Sequence, residues 1–98
     1  MLTHSVFFKL KFPKGSSEEL EFLRAAAKLE KIPGVQNFRP LRQLSSKNDF
    51  DYGLTMDFDG QEEYDSYSQH PEHREFVNAN WGKCVANFME IDYEEMAR

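Results

Sequence analysis

Four stretches of the chain show the alternation of nonpolar and polar positions that is typical of a β-strand with one buried face. The alternation is strict in residues 2–12 and 50–59 and less regular in residues 84–93. Residues 35–44 form the weakest candidate, because Pro40 cannot donate a hydrogen bond to a neighbouring strand. Proline in such a position favours an edge strand or a β-bulge.

Between these strands the nonpolar residues follow a period of about 3.6, which predicts helices. The first helix is predicted over residues 16–31, with a capping box formed by Ser16 and Glu19. A short acidic helix is predicted over residues 60–68, and a further helix over residues 72–81, which Gly82 then ends. The order β-α-β-β-α-β predicts an α+β ferredoxin-like plait, in which helices cover one face of a four-stranded antiparallel sheet.

The opposite face of such a sheet has no helices over it, so it must be covered by a partner or carry polar groups. We expect Phe7 and Phe88 to lie on this open face. Two large nonpolar side chains in that position favour a homodimer that pairs sheet to sheet.

Length and charge exclude several other classes of protein. The 98 residues suffice for one domain, taken as residues 1–98 with a core over about 2–93. The net charge is −5 and the basic residues are scattered, so no nucleic-acid partner is expected. Nonpolar runs are far shorter than the ~20 residues needed to cross a bilayer, so no membrane partner is expected either. The N-terminus shows no secretory signal, and the expectation is a cytoplasmic protein.

Three histidines and a tyrosine are the strongest candidates for chemistry. Pro71 fits the first position of a helix, which makes His70 the expected N-cap residue. His73 then falls in the first turn, where the helix dipole disfavours a protonated imidazole. Tyr67 ends the preceding helix nearby, and His4 lies on the more nonpolar face of the first strand. A neutral histidine and a tyrosine hydroxyl can remove a proton next to a carbonyl and stabilise the resulting enolate.

Residue types alone favour a plainer interpretation, in which these side chains cap helices and anchor them to the sheet. No metal site is expected, because the histidines meet no standard ligand spacing and the single cysteine, Cys84, excludes a cysteine-rich site.

Five segments, taken together and in order, resemble the stress-responsive A/B barrel family, also called the Dabb or dimeric α+β barrel family. They are His4-x-Val6-x-Phe8-Lys9, Ile32-Pro33-Gly34-Val35, Phe50-Asp51-Tyr52-Gly53-Leu54, Tyr67-x-x-His70-Pro71-x-His73 and Ile91-Asp92-Tyr93. The resemblance implies a ferredoxin-like subunit that pairs into a barrel-like homodimer. It also implies a cavity between sheet and helices, bordered by His4, Tyr67 and His73. The candidate ligand contacts are His4, Val6, Phe8, Phe22 and His70.

A plant member of this family, olivetolic acid cyclase, is a polyketide cyclase. Its tyrosine–histidine pair would fall on Tyr67 and His73, and its strand histidine on His4. Of the aromatic residues that line the cyclase cavity from its first helix, Phe22 has a match here, whereas Glu21 and Ala25 stand at the other positions. The resemblance therefore does not imply that this chain carries out the complete reaction of the plant cyclase.

Three hypotheses follow from the sequence. The first is a homodimer that binds a small, partly nonpolar and partly polar molecule without a cofactor, in a stress-linked or accessory metabolic role that the resemblance implies. The second is a cofactor-free polyketide cyclase or isomerase, with His73 as base and Tyr67 as oxyanion donor. The third is a purely structural interior filled by aromatic side chains. The volume of any cavity next to His73 and Tyr67 discriminates among them.

Overall fold

The structure, a computed structural model, describes residues 1–97; Arg98, the last residue of the expected domain, lies outside them. The strands form one antiparallel sheet in the order β2-β3-β1-β4. The predicted α+β ferredoxin-like plait is confirmed. The elements are β1 (Leu2–Leu10), α1 (Ser17–Ala27), a 3₁₀ segment (Lys28–Lys31), β2 (Gln36–Arg42), β3 (Tyr52–Phe58), α2 (Gln61–Gln69), α3 (Pro71–Phe76), a π-helical segment (Val77–Trp81), α4 (Gly82–Cys84) and β4 (Val85–Tyr93).

The first helix begins with the predicted Ser16 cap. The Glu19 N–H donates to the Ser16 hydroxyl at 3.2 Å, while the Glu19 carboxylate accepts from the Gly15 N–H at 3.1 Å. The carboxylate therefore reaches one residue further back than in a standard capping box, where it bonds the cap residue itself. The α-helix ends at Ala27, and the remaining turn tightens into the 3₁₀ segment.

The last helical region is longer than the sequence predicts. It runs without interruption from Pro71 to Cys84, through the π-helical segment, and Gly82 lies inside it with φ −63°. The prediction that Gly82 ends this helix is wrong. Glycine ends helices by adopting a positive φ, and here it keeps a helical backbone. π-helical segments are rare in proteins, and many of those that occur lie at functional sites.

Strand β2 lies at one edge of the sheet, which accommodates Pro40 as predicted. Its pairing with β3 shifts register between Gln36 and Arg39, and Asn37 inside the shift has φ 51°. The irregular backbone explains why the alternation in this stretch is weak.

The core lies between the sheet and the helices. Phe8, Phe22 and Phe58 are almost fully buried there. Four further strand positions on the same face belong to the core, as do Leu29 and Phe76 from the helical layer. Those strand positions are Val6, Leu10, Leu54 and Met56.

The open face of the sheet carries a different set of residues from the one expected. Directly paired residues of antiparallel strands share a face. Phe88 pairs with the buried Phe8, and its ring centroid lies 5.4 Å from that of Trp81. Phe88 therefore faces the helices, and the prediction that it lies on the open face is wrong.

Phe7 does lie on the open face, opposite Met89. Ile91 and Tyr93 follow along β4 on the same side. These three β4 residues are about half exposed, at 50%, 48% and 51%. Alternation correctly separates residues 87–93 into two sets, but the β1–β4 register is needed to decide which set meets the helices. Val85, which the alternation groups with Met89, Ile91 and Tyr93, instead pairs with the buried Leu10 beyond a register shift and packs against the core.

None of the helices within residues 1–97 has the length and nonpolar character needed to cross a membrane.

Candidate functional site

A cavity of about 60 Å³ lies between the sheet and the helical layer, which contributes residues from the 3₁₀ segment, α2, α3 and the π-helical segment. Its polar walls are His4, Tyr67, His73 and Glu90. The remaining walls are nonpolar, from Val6, Leu29, Leu54, Met56, Phe76 and Trp81. One water molecule occupies about 30 Å³ in the liquid, so the cavity has the volume of about two waters.

Four of the candidates from the sequence meet at this cavity, namely His4, Val6, Tyr67 and His73. Two others lie outside it: Phe8 and Phe22 pack against each other in the core, with ring centroids 5.5 Å apart. His70 is also outside it, because its Nδ1 accepts a hydrogen bond from the Glu72 N–H at 3.1 Å and caps α3. The predicted N-cap is confirmed, whereas a ligand contact by these three residues stays a prediction.

His73 is held in one neutral tautomer. Its Nδ1 lies 3.0 Å from the carbonyl oxygen of Ser68, which can only accept, so Nδ1 carries the proton and Nε2 keeps a free lone pair. Burial lowers the pKa of His73 below its ordinary value, and the backbone hydrogen bond opposes that effect. The ring centroid of His73 lies 4.6 Å from that of Tyr67. The arrangement presents a neutral imidazole beside a phenol.

Tyr67 is buried, with 2% of its surface exposed. Burial raises the pKa of its hydroxyl far above the ordinary value, and the neighbouring Tyr64 and Glu90 add to the effect. The hydroxyl has no hydrogen-bond partner within residues 1–97, yet no fully enclosed polar atom in that range lacks a partner. The Tyr67 hydroxyl is therefore accessible from the cavity as a neutral donor.

His4 is oriented by carboxylates from β4. Its Nδ1–H donates to Oδ1 of Asp92, the residue paired with it across the sheet, at 2.5 Å. Its Nε2 lies 3.9 Å from Oε1 of Glu90. A carboxylate on one ring nitrogen fixes the orientation and the tautomer of a histidine.

Asp92 and Glu90 contact His4 in the candidate site, and sequence reasoning gave neither of them a role. Asp92 belongs to the Ile91-Asp92-Tyr93 segment, but its role depends on contact with a residue 88 positions away. One signal was available in the sequence: the alternation along β4 places both residues on the same face as Phe88, and that face meets the helices.

An open groove of about 390 Å³ lies beside the cavity, between the 3₁₀ segment and α3. Leu29 and Phe76 line both the groove and the cavity. These two side chains therefore separate the buried site from the surface groove. The rim of the groove carries charges of both signs, from Lys28, Lys31, Glu72 and Glu75.

No group of three histidine, cysteine or acidic side chains within residues 1–97 is arranged to hold a metal ion.

The sequence profile of the stress-responsive A/B barrel domain matches residues 2–95 of the chain. A Dabb family protein with a ferredoxin-like fold from Mesorhizobium loti is 42% identical, with a TM-score of 0.96 over 98% of this chain and 97% of that one.

More distant structures share the fold. A dimeric ferredoxin-like protein of unknown function from Bacteroides fragilis is 20% identical, with a TM-score of 0.74 over 96% of this chain and 95% of that one. Hydroxynitrile lyase from Passiflora edulis is 15% identical, with a TM-score of 0.83 over 99% of this chain and 96% of that one. No curated protein is detectably similar to the chain.

Proposed function

Since the chain belongs to the stress-responsive A/B barrel (Dabb) family, we propose that it is a homodimeric protein that binds a small, partly polar molecule in its buried cavity. The observation that carries this proposal is the unpartnered hydroxyl of Tyr67 beside the free Nε2 of His73, within a largely nonpolar wall. A buried polar group without a partner destabilises the fold, and a ligand that accepts from Tyr67 and donates to His73 removes that penalty. A stress-linked or accessory metabolic role is part of the same proposal, since the family is described by its stress response.

The volume limits the ligand to a few non-hydrogen atoms. A cavity of about 60 Å³ is well below the ~300 Å³ at which pockets for larger organic ligands begin. A polyketide exceeds this volume, and a movement of Leu29 and Phe76 that joins the cavity to the groove would enlarge the site. The geometry therefore favours a small polar ligand over the aromatic substrate of the plant cyclase.

A cavity-filling variant tests this proposal. Formamide is titrated into the protein, and the ring-proton NMR signals of His4 and His73 are followed. Val6→Ile adds a methyl group inside the cavity, whereas Val35→Ile adds the same group to a half-buried position outside it. We expect saturable shifts in the parent and in Val35→Ile, and none in Val6→Ile. A parent protein whose histidine signals do not respond contradicts the proposal.

The same contacts support a second candidate, a cofactor-free enzyme that moves a proton next to a carbonyl. Nε2 of His73 would take a C–H proton, and the Tyr67 hydroxyl would donate a hydrogen bond to the enolate oxygen. The fold also carries a hydroxynitrile lyase, although a likeness at 15% identity shows the fold alone.

Hydrogen–deuterium exchange tests the second candidate directly. In D₂O the base removes a methyl proton of acetone, and the carbon then takes a deuteron, so the net change is one C–D for one C–H. His73→Ala should slow exchange by about 10²- to 10⁴-fold, and Tyr67→Phe by about 10²- to 10³-fold. Tyr64→Phe, on the same helix, is the matched control. A parent protein that does not accelerate exchange removes this candidate.

The open sheet face supports the homodimer. Phe7, Met89, Ile91 and Tyr93 form a half-exposed nonpolar surface on it, and contiguous surfaces of this kind mark protein interfaces. Met89→Asp would bury an unpaired carboxylate in a sheet-to-sheet dimer and should give a monomer in light scattering. Phe88→Asp, with similar exposure but on the helix side, should remain dimeric. If both variants keep the parent mass, the proposed interface is wrong.

A further inference from the structure

The walls of the cavity carry an excess of negative charge. Glu90 is the one carboxylate among the lining residues, and no lysine or arginine from residues 1–97 lines the cavity. The Glu90 side chain is half exposed, at 53%, so it stands where the cavity approaches solvent. A ligand that enters there meets a carboxylate before it reaches the histidines.

The local histidines do not offset this charge. Burial favours the neutral imidazole of His73, although its hydrogen bond to the Ser68 carbonyl opposes that effect. His4 lies between two carboxylates, with Asp92 at Nδ1 and Glu90 at Nε2. These two carboxylates outnumber the one imidazole between them.

The charge of Glu90 also acts inside the cavity. After burial itself, the effects that raise the pKa of the Tyr67 hydroxyl include the charge of Glu90. A group that disfavours a phenolate at Tyr67 disfavours any other anion at the same place.

We propose that Glu90 is a specificity-determining residue, which makes the cavity select small cationic or neutral hydrogen-bond donors over carboxylates and other anions. The inference rests on the proposed small-molecule function and adds the chemical class of the ligand: an amidine, an amide or a small ammonium group rather than an acid. In this proposal Glu90 contacts the charged group of a cationic ligand, and Tyr67 and His73 hydrogen-bond the other polar atoms of that ligand.

Three molecules of the same planar shape test the charge preference: formamidinium, formamide and formate are a cation, a neutral molecule and an anion. Each is titrated at neutral pH and constant ionic strength, and dissociation constants are taken from the ring-proton signals of His4 and His73. We expect formamidinium to bind best and formate worst. Glu90→Gln keeps the shape of the side chain and removes its charge. It should shrink the preference for formamidinium over formate by about three- to tenfold, since the carboxylate is partly screened by solvent.

Glu94→Gln is the matched control, because it makes the same change of net charge on an exposed residue outside the cavity. It should leave the preference at the parent value. Equal binding of formate and formamidinium to the parent, or an unchanged preference in Glu90→Gln, overturns the role of Glu90 and leaves the small-molecule function standing. If none of the three molecules shifts either histidine, the small-molecule function fails, and the specificity role fails with it.

Discussion

The Tyr67 hydroxyl can be removed with almost no change in packing, which makes Tyr67→Phe the most informative single substitution. The ring lies between Phe58, at a centroid distance of 5.1 Å, and His73, at 4.6 Å. A phenylalanine ring retains both contacts. Since the hydroxyl has no partner within residues 1–97, the substitution breaks no hydrogen bond in the described structure.

The expected change in the free energy of unfolding is correspondingly small. Desolvating an unpaired hydroxyl is unfavourable by about 1–3 kcal/mol when it is fully enclosed, and less where a cavity leaves room for water. Tyr67→Phe should therefore leave stability unchanged or raise it by about 1 kcal/mol. Tyr67→Ala, which removes a ring that is 2% exposed, should lower stability by about 3–5 kcal/mol.

Tyr64→Phe is the matched control on the same helix. The Tyr64 hydroxyl bonds the Ser68 side chain, so its removal should lower stability by about 0.5–1.5 kcal/mol. Urea unfolding of all four proteins is followed by circular dichroism at one protein concentration, because the stability of a dimer depends on concentration. If Tyr67→Phe loses more than Tyr64→Phe, the Tyr67 hydroxyl has a structural partner, and the argument for a functional hydroxyl fails. A loss of ligand binding without a loss of stability would mark a residue kept for function.

Three further predictions concern stability. Pro71→Ala should change the free energy of unfolding by about 1 kcal/mol or less, because Pro71 occupies the first turn of α3 and its missing N–H breaks no bond there; a large loss in urea unfolding would contradict this. Gly53→Ala places a Cβ 2.6 Å from the Phe7 ring, so it should displace that ring and weaken the dimer by about 1–3 kcal/mol, as measured by sedimentation. Burial lowers the pKa of His73 in the folded protein, so below about pH 6.5 the unfolded chain binds a proton at this position more readily than the folded chain does. Stability measured by urea unfolding should therefore fall as the pH falls below that value, and His73→Gln should make this decline smaller.

The elements with strict periodicity could be predicted from the sequence, and their physical origin is local. Strand β3 places Leu54, Met56 and Phe58 in the core from alternate positions, and the His70–Pro71 pair sets a helix start through the restricted backbone before proline and the side-chain cap of His70. The sheet face on which Phe88 lies could not be predicted in the same way. Alternation shows which residues share a face, but it does not show which face the helices cover. That choice follows from the pairing of Phe88 with Phe8, a contact across the whole chain.

In the candidate site, too, some residues could be predicted from local sequence and others could not. His4, Tyr67 and His73 were expected from a motif, and the structure brings them to one cavity. Asp92 and Glu90 enter the site through the β1–β4 register, so local reasoning gave them no role. The volume of the cavity depends on how closely distant side chains pack, a quantity that no local pattern encodes.

The wall between cavity and groove lies at the two places where the helical backbone is irregular. Leu29 belongs to the 3₁₀ segment, and Phe76 directly precedes the π-helical segment. Short 3₁₀ and π segments are common at hinges and functional sites, since their hydrogen bonds are less regular than those of an α-helix. A ligand that extends from the cavity into the groove would therefore have to displace these two side chains.

Leu29→Ala should join the cavity to the groove and let a longer ligand reach the histidines. Benzamidine, which keeps the amidine of formamidinium and adds a ring, should leave the His4 and His73 signals of the parent unchanged and shift them in Leu29→Ala. The matched control is Ile32→Ala, because Ile32 is equally buried and lines the groove but not the cavity. Both variants should lose about 2–5 kcal/mol of stability, because each removes a buried side chain of similar size. They should differ in one respect, which is that only Leu29→Ala connects the cavity to the groove. Benzamidine binding at the histidines of Ile32→Ala, or none in a folded Leu29→Ala, would show that Leu29 is not the barrier between groove and cavity.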